Sequence, residues 1–266
     1  MTGTKWGQHF LVNKNVAEKI VRHFLPAEGC ILEVGPGKGV LTDLLLKYGK
    51  TNQIKAVELD TTLFYKLRSK YSDIENVEVV NRNILKVKLP NLFPGETQIH
   101  LISNVPYYIS SEFIDWVISQ AKYIKQGILM MQKEFVDKLA SGPSSKEYNP
   151  QSIIFNYLFR LKKVFDVNPG SFSPQPKVKS TVSLFQDRGE DITRRNRVNV
   201  KNFYLFLQLC FKNRRKTLLN NLEKQYQTEK LWEVFEAYGI NPKIRAEQLG
   251  LADFLNLYRR IHRLAG

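Results

Sequence analysis

The stretch Asn104-Val105-Pro106-Tyr107 combines residue types that could activate an aromatic amine. The lone pair of such an amine, as in adenine, is delocalised into the ring, so the nitrogen is a poor nucleophile. Two acceptors for its protons would draw the nitrogen toward sp³ geometry, and the side-chain oxygen of Asn104 and the backbone carbonyl of Pro106 can supply them. If the amine attacks a methyl group carried by a sulfonium, the leaving group already favours the transfer and no strong base is required. Catalysis would then consist of in-line positioning and electrostatics.

Tyr107 adds a flat ring to this motif. An extruded base can stack on such a ring, an interaction worth roughly 1–3 kcal/mol. Pro106 restricts the backbone so that its own carbonyl can point inward. The same Asn-x-Pro pattern also occurs in tight turns with a cap, so the interpretation depends on what precedes it in the chain.

A glycine-rich segment upstream, Glu33-Val34-Gly35-Pro36-Gly37-Lys38-Gly39, follows a predicted strand and opens a predicted helix. Glycines at such a turn tolerate positive φ and let backbone amides approach a ligand. The spacing G-x-G-x-G differs from the dinucleotide fingerprint G-x-G-x-x-G, and Glu33 suits a cationic ligand better than a diphosphate. Glu58 ends the next strand, where a carboxylate can accept hydrogen bonds from both hydroxyls of a ribose. The pair of motifs predicts an adenosine-containing ligand.

These motifs must be positioned by alternating strands and helices. Such alternation predicts a parallel sheet with helices on both faces, and every motif falls at the carboxyl end of a strand, where ligands bind in such sheets. The predicted strands are Cys30–Gly35, Ile54–Leu59, Val77–Asn81, Ile99–Ser103 and Gly127–Gln132, and the predicted helices are Val40–Tyr48, Leu63–Tyr71 and Glu112–Lys122.

The pattern changes after Gly142. A helix-like stretch near Gln151–Arg160 is followed by two extended runs, Phe165–Asn168 and Ser180–Phe185, which flank several prolines. Residues 187–197 are charged and indicate a linker, and the chain from about Lys201 is helical and basic. We therefore expect a ligand-binding catalytic domain over residues 1–186 and a basic helical domain over residues 187–266.

The chain of 266 residues carries a formal net charge of +15. Such an excess implies an anionic partner, which could be nucleic acid, acidic lipid or an acidic protein; a solvated basic surface without a partner is the alternative. Residues 186–266 hold 16 Lys and Arg against 9 Asp and Glu, so the positive charge is densest there. The candidates for phosphate contacts are Arg194, Arg195, Arg197, Lys212, Arg214, Arg215 and Lys216, although Arg214–Lys216 could instead be cations at a helix end.

Composition also argues against several classes of protein. Cys30 and Cys210 are far apart and lack CxxC spacing, which indicates neither a disulfide framework nor a zinc site. His23, His100 and His262 lack metal-ligand spacing, so no metal is expected. The N-terminus has no apolar core of a signal peptide, and the longest apolar runs are too short to span a membrane. We expect a soluble intracellular protein.

Taken together, these motifs resemble the rRNA adenine N6,N6-dimethyltransferases (the KsgA/Erm type) over nearly the whole chain. The matching segments are Lys5-Trp6-Gly7-Gln8-His9-Phe10-Leu11, the glycine loop, Val57-Glu58-Leu59-Asp60, Asn104-Val105-Pro106-Tyr107, Met131-Gln132-Lys133-Glu134, Ser145-Lys146-x-Tyr148 and Phe172-Ser173-Pro174-Gln175-Pro176-Lys177-Val178.

This resemblance implies a fold, a cofactor and site residues. The fold would be α/β, a class I (Rossmann-like) methyltransferase sheet of seven strands with the last reversed, followed by an all-helical C-terminal domain. S-adenosylmethionine would be the methyl donor, and Phe172 would be the second aromatic that clamps the target base. The resemblance places His9 and Leu11 at the methionine end of the cofactor, Gly35 and Gly37 along it, Glu58 on the ribose, Asn83 on its adenine, and Asn104 between cofactor and target.

Asn83 departs from the Asp that the family usually has there. An Asn keeps one oxygen acceptor for the adenine amine but lacks the charge, so we expect weakened cofactor binding at most. Arg245-Ala246-Glu247 and the basic stretch after Phe211 resemble the small-subunit branch. This branch implies dimethylation of two adjacent adenosines in a hairpin near the 3′ end of 16S-type rRNA.

Three alternatives remain open from the sequence. They are a large-subunit (23S) rRNA methyltransferase of the macrolide-resistance type, a non-catalytic ribosome-assembly or transcription factor, and a DNA adenine methyltransferase. The favoured interpretation is a cytoplasmic monomer that acts on rRNA within the small (30S) ribosomal subunit or its precursor, away from any membrane.

Overall fold

The computed structural model describes residues 9–49, 53–189 and 198–264, and it divides into two compact units. The first comprises Met1–Val136 and Phe159–Asp187, and the second comprises Asp137–Leu158 and Arg188–Gly266. The division into a catalytic domain over residues 1–186 and a basic helical domain over residues 187–266 stays a prediction. The compact units differ from them for residues 137–158, because buried aromatic rings of that segment pack on the C-terminal helices.

A seven-stranded sheet forms the centre of the first unit, in the order β4-β3-β2-β5-β6-β9-β7. Strands β2 to β6 pair in parallel, and β9 is antiparallel to both of its neighbours. The last strand is therefore the reversed one, which confirms the predicted fold class. The strands are β1 (Phe10–Leu11), β2 (Cys30–Val34), β3 (Gln53–Glu58), β4 (Val77–Asn81), β5 (Ile99–Asn104), β6 (Ile124–Gln132), β7 (Phe159–Val167), β8 (Phe172–Ser173) and β9 (Ser180–Asp187).

Helices cover the sheet of this unit. The first of them, which was not predicted, has an apolar face made by Ala17, Ile20, Val21 and Phe24, and these side chains join the core beside the sheet. The Asn13 side chain caps its N-terminus. The helices are α1 (Lys14–Phe24), α2 (Val40–Tyr48), α3 (Thr61–Lys70), α4 (Leu89–Leu92), α5 (Ser110–Ser119) and the first half of α6 (Lys133–Leu139), which continues into the second unit.

The predicted helix at Gln151–Arg160 ends earlier, at Leu158, and β7 begins at Phe159. The Phe159 ring lies 4.8 Å from that of Phe185 on β9. This cross-strand aromatic contact, together with the ladder to β9, outweighs the local preference for helix.

A second, two-stranded sheet joins parts of the chain that are far apart in sequence. Strand β1 pairs antiparallel with β8, with Phe10 opposite Ser173 and Leu11 opposite Phe172. The N–H groups of Val12 and Asn13 both donate to the Ser171 carbonyl, at 2.9 and 3.2 Å. This pairing places the segment before α1 against the proline-rich loop.

The second unit is built of helices. The Tyr157 and Phe203 rings lie 5.8 Å apart, and the Tyr148 and Phe211 rings 5.9 Å apart, so residues 137–158 share its aromatic core. No helix among the described residues is long and apolar enough to cross a lipid bilayer. The helices are α7 (Pro150–Leu158), α8 (Val200–Cys210), α9 (Leu218–Leu222), α10 (Thr228–Ala237) and α11 (Leu251–Leu264).

Candidate active site

A cavity of about 320 Å³ opens at the carboxyl edge of the parallel strands. The loops after β2, β3, β4 and β5 converge there, and β1 closes one side, so the motifs predicted at strand ends share one site. It is lined by His9, Phe10, Leu11, Glu33, Val34, Gly35, Pro36, Gly37, Lys38, Val40, Leu41, Val57, Glu58, Leu59, Arg82, Asn83, Ile84, Leu85, Asn104, Val105, Pro106, Tyr107, Tyr108 and Ile109.

The glycine loop adopts the backbone that its composition predicts. Gly35, Gly37 and Gly39 have φ values of 67°, 59° and 80°, in the left-handed region that favours glycine. A Cβ added at Gly35 would meet no atom within 4 Å, and one at Gly37 would lie 2.9 Å from the Phe10 ring. The loop therefore leaves room for a ligand beside Gly35, and it also accommodates Phe10.

Glu58 ends β3 with its carboxylate almost fully buried, at 2% exposure. Its two oxygens accept the N–H groups of Gly37 and Asp60, at 3.1 and 2.9 Å. Burial raises the pKa of this carboxyl, and the backbone donors oppose that effect. Each oxygen keeps capacity for one further hydrogen bond, which suits a pair of ribose hydroxyls.

Glu33, at 1% exposure, is the second buried carboxyl in the lining. The Thr42 hydroxyl donates to its Oε2 at 2.6 Å. Burial raises the pKa of Glu33 to about 7, and the nearby Asp43 and Glu58 carboxylates add to the rise. A cation in the cavity would favour the ionised form, which agrees with the cationic ligand predicted for this loop.

Asn83 lies at the N-terminus of the 3₁₀ turn Ile84–Lys86 and lines the cavity. Its Oδ1 accepts the Leu85 N–H at 3.0 Å. One lone pair of that oxygen is therefore used locally, so the side chain offers the cavity its second lone pair and its Nδ2 donors.

Asn104 closes β5, and its Nδ2 donates to the His9 carbonyl at 3.0 Å. Among the described residues, none donates to its Oδ1. The Asn104 amide is thus held with its Nδ2 group bonded to His9 and its Oδ1, the predicted acceptor, available. The Pro106 carbonyl, predicted as the second acceptor, already accepts the Ile109 N–H at 3.1 Å, which leaves it one lone pair.

Tyr107 is half-buried at the edge of the cavity. Its hydroxyl lies 2.7 Å from the Oγ of the buried Ser180, and its ring lies 5.3 Å from the His9 imidazole. The His9 Nδ1 lies 2.7 Å from the Pro174 carbonyl. Residues of the N-terminal segment, the Asn-x-Pro-Tyr motif and the proline-rich loop therefore hold one another in place.

Phe172 lies elsewhere. Its side chain is 4% exposed and belongs to the core cluster that includes Leu11 and Val182, outside the cavity lining. The exposed aromatic beside Tyr107 is Tyr108, at 49% exposure. A role for Phe172 in clamping a base stays a prediction, and it requires the ring to leave the core.

Seven basic residues were predicted to contact phosphate, and four of them lie in the described part of the second unit. Lys212, Arg214, Arg215 and Lys216 are exposed on the loop between α8 and α9. Arg194, Arg195 and Arg197 lie outside the described residues.

Several residues of the site were not predicted to take part in it, among them Phe10, Tyr108 and Ser180. Phe10 and Tyr108 lie within or beside segments that resemble the family, but nothing in those segments predicts that they line the cavity. Ser180 starts β9, and its contact with Tyr107 depends on a separation of 73 residues.

The chain is similar to known proteins of one family. Residues 2–263 match a family model described as ribosomal RNA adenine dimethylase. The chain is 37% identical over 256 residues to the ribosomal RNA small subunit methyltransferase A of Phytoplasma australiense, covering 94% of this chain and 88% of that protein. It is 35% identical over 247 residues to the protein of the same name from Malacoplasma penetrans (strain HF-2), covering 92% and 86%. The crystal structure of a dimethyladenosine transferase from Plasmodium falciparum is similar, with a TM-score of 0.80, 25% identity and coverage of 97% and 98%.

Proposed function

The chain belongs to the ribosomal RNA adenine dimethylase family, and from that premise we propose that it dimethylates N6 of two adjacent adenosines in the 3′-terminal hairpin of 16S rRNA. Membership confirms the resemblance found in the sequence and makes the protein an S-adenosylmethionine-dependent rRNA methyltransferase. The observation that carries the proposal is the orientation of Asn104, whose amide nitrogen is held by the His9 carbonyl at the edge of the cavity.

The residues around the cavity fit S-adenosylmethionine. When bound, this cofactor supplies an electrophilic methyl group on a sulfonium. The open space beside Gly35 accommodates the ligand, the buried carboxylate of Glu58 accepts the ribose hydroxyls, and Asn83 contacts the adenine. Gly37, His9 and Leu11 complete the pocket, with His9 and Leu11 at the methionine end.

Asn104 and Pro106 prepare the target amine for attack. The Oδ1 of Asn104 and the remaining lone pair of the Pro106 carbonyl accept the two amine protons, which localises the nitrogen lone pair. Because both acceptors are fixed by bonds to the backbone, they need little reorganisation as charge develops. The proton is lost after transfer, so no strong base is needed.

Tyr107 provides the stacking face for the extruded base. Its hydroxyl bond to Ser180 holds the ring at the edge of the cavity. Phe172 takes the opposite side of the base after leaving its contact with Leu11. Stacking of this kind contributes roughly 1–3 kcal/mol per base.

The partner is rRNA, on which the protein acts within the small (30S) ribosomal subunit or its precursor. Residues 1–186 act as the catalytic domain and residues 187–266 as the RNA-binding domain of a cytoplasmic monomer that does not associate with membranes. The phosphate contacts are made by Arg194, Arg195, Arg197, Lys212, Arg214, Arg215 and Lys216.

Methyl transfer to defined nucleic acids tests this function. We expect incorporation into small ribosomal subunits that lack the modification, at two adjacent adenosines near the 3′ end, and none into large-subunit rRNA or duplex DNA. Asn104→Ala should abolish the mapped methylation while the protein still binds the subunit. Methylation of large-subunit rRNA, or no incorporation into any adenine amine, would contradict the proposal.

A further inference from the structure

Asn83 lies beside the carboxylate that is assigned to the ribose. Strands β3 and β4 pair in parallel with Glu58 opposite Asn81, so the residues that follow β4 flank the end of β3. The Arg82 N–H and the Asn81 Nδ2 both donate to the Glu58 carbonyl, at 3.2 and 2.8 Å. Because β2 lies on the other side of β3, a ribose on Glu58 with its methionine arm toward the glycine loop places its base toward Asn83.

The backbone fixes which way the Asn83 amide points. Its Oδ1 accepts the Leu85 N–H at 3.0 Å, at the start of the 3₁₀ turn Ile84–Lys86. The partner in this bond is a donor, so the Asn83 atom that faces it must be the oxygen. The Nδ2 group forms the other branch of the planar amide, and it donates to none of the described residues. Asn83 therefore has two N–H donors for a ligand in the cavity.

A carboxylate at this position would present a different hydrogen-bonding pattern. One oxygen of an Asp would cap the same turn, and its second oxygen would take the place of Nδ2. That oxygen would accept a charge-assisted bond from the exocyclic amine of adenine. The Nδ2 group of Asn83 is itself a donor, so its complement on a purine is a carbonyl oxygen, as in hypoxanthine. An adenine amine is left with the one remaining lone pair of Oδ1.

We propose that Asn83 reduces the discrimination of the cofactor pocket between adenine and a purine that carries a carbonyl at the same carbon. The inference rests on the proposed function, which places the ribose on Glu58. With adenine, the remaining Oδ1 lone pair accepts the amine, and with hypoxanthine, Nδ2 donates to the carbonyl. An Asp would make only the first kind of contact and would repel the carbonyl oxygen, so the residue at position 83 sets the selectivity for the base.

Binding of the reaction product and of a close analogue tests this role of Asn83. The two ligands are S-adenosylhomocysteine and S-inosylhomocysteine. They carry the same charge, so the Coulombic effect of an added carboxylate cancels in the ratio of their dissociation constants. Calorimetric titration gives that ratio for the wild-type protein, for Asn83→Asp and for the matched control Asn91→Asp, which adds the same charge at an exposed residue outside the cavity lining.

We expect the preference for S-adenosylhomocysteine to be at least about fivefold larger in Asn83→Asp than in the wild-type protein, which is the effect of one hydrogen bond. The Asn91→Asp control should keep the wild-type ratio. A smaller increase in Asn83→Asp, or an equal increase in the control, would overturn the proposal.

Thermal melting of the three proteins shows whether folding is intact. Because Asp caps a turn as well as Asn does, we expect Asn83→Asp to melt as the wild-type protein does. The proposed function fails separately, if the wild-type protein methylates no adenine in the small ribosomal subunit. A wild-type protein that methylates the subunit while Asn83→Asp keeps the wild-type ratio would refute the role of Asn83 alone.

Discussion

The amide nitrogen of Asn104 donates a 3.0 Å hydrogen bond to the backbone carbonyl of His9. This bond orients the side chain, because only one of the two amide flips presents a donor to a carbonyl. It also makes the proposed acceptor of the target amine depend on the strand pairing that holds His9 near the cavity.

The Asn104→Asp variant distinguishes the effect of the orientation of this side chain from the effect of having an acceptor oxygen at that position. The carboxylate keeps the acceptor oxygen but replaces the Nδ2 donor by a second oxygen, which lies against the His9 carbonyl, so we expect a lower kcat with a smaller change in cofactor affinity. A loss of about 10²–10³ is the scale for removing one preorganised group. Single-turnover methyl transfer and cofactor titration measure the two effects, and wild-type turnover in the variant would contradict the role.

Gly35→Ala tests whether the space beside the glycine loop belongs to the cofactor. Gly95 is the matched control, because it too has positive φ, at 82°, and open space around an added Cβ. Both substitutions should lower stability by about 1–2 kcal/mol. Only Gly35→Ala should weaken S-adenosylmethionine binding, by about tenfold or more, since overpacking costs typically about 1–3 kcal/mol. Calorimetric titration of both variants distinguishes them, and equal affinities would place the ligand elsewhere.

Glu33 should make cofactor binding depend on pH. Its pKa of about 7 means that ionisation between pH 6 and 8 strengthens the binding of a cationic ligand. We expect the Kd for S-adenosylmethionine to fall across that range and Glu33→Gln to remove the trend. S-adenosylhomocysteine, which lacks the sulfonium charge, should show a weaker trend in the wild-type protein. An unchanged pH profile in Glu33→Gln would argue against the assignment.

The same carboxyl affects stability in the absence of ligand. Because its pKa in the folded protein lies above its ordinary value of 4.5, its contribution to stability falls as pH rises from 4.5 to 7. At pH 8, Glu33→Gln should therefore stabilise the ligand-free protein, by on the order of 3 kcal/mol. Denaturant unfolding at pH 5 and pH 8 checks the sign, since the gain should be small at pH 5.

His100 predicts a loss of stability in acid. Its ring is buried with Nδ1 unpartnered among the described residues, and burial lowers the pKa of the imidazole from its ordinary value of 6.5. The unfolded chain therefore binds a proton that the folded protein does not, and stability falls as pH drops below 6.5. Compared with the wild-type protein, His100→Phe should show a flatter decline in free energy of unfolding between pH 6.5 and 5. An equally steep decline would assign the effect to other groups.

The contact between the Tyr107 hydroxyl and Ser180 should position the Tyr107 ring for stacking on the target base. Tyr107→Phe and Ser180→Ala each remove one partner of the 2.7 Å bond. In a double-mutant cycle on kcat/KM for the RNA, we expect a coupling of about 1 kcal/mol. Cofactor affinity provides the control, because neither change removes a group assigned to the cofactor, and additive effects on kcat/KM would show that the bond has no such role.

The main features of the fold and most of the site were predictable from local patterns. Asn104 and Glu58 each end a strand and the glycine loop follows one, and the carboxyl ends of parallel strands converge, so their meeting at one cavity follows from the strand pattern. Strands β2 to β6 and β9 were predicted within a few residues, because each is a run of mostly apolar or β-branched residues. In contrast, β7 begins at Phe159, before the predicted run at Phe165, and β1 and β8 were not predicted.

Contacts between distant segments were decided by the tertiary structure alone. Pairing of β1 with β8 brings His9 to Asn104 and places Leu11 against Phe172, and no local pattern specifies which distant backbone a two-residue strand will pair with. Burial likewise decided that the Phe172 ring lies in the core of this structure, while its role at the target base stays a prediction. Long-range hydrogen bonding brought Ser144 to Glu247. The sequence determined the residue types and the strand ends that carry them. Burial and backbone pairing across many residues decided which side chains meet, because those energies exist only once the chain is folded.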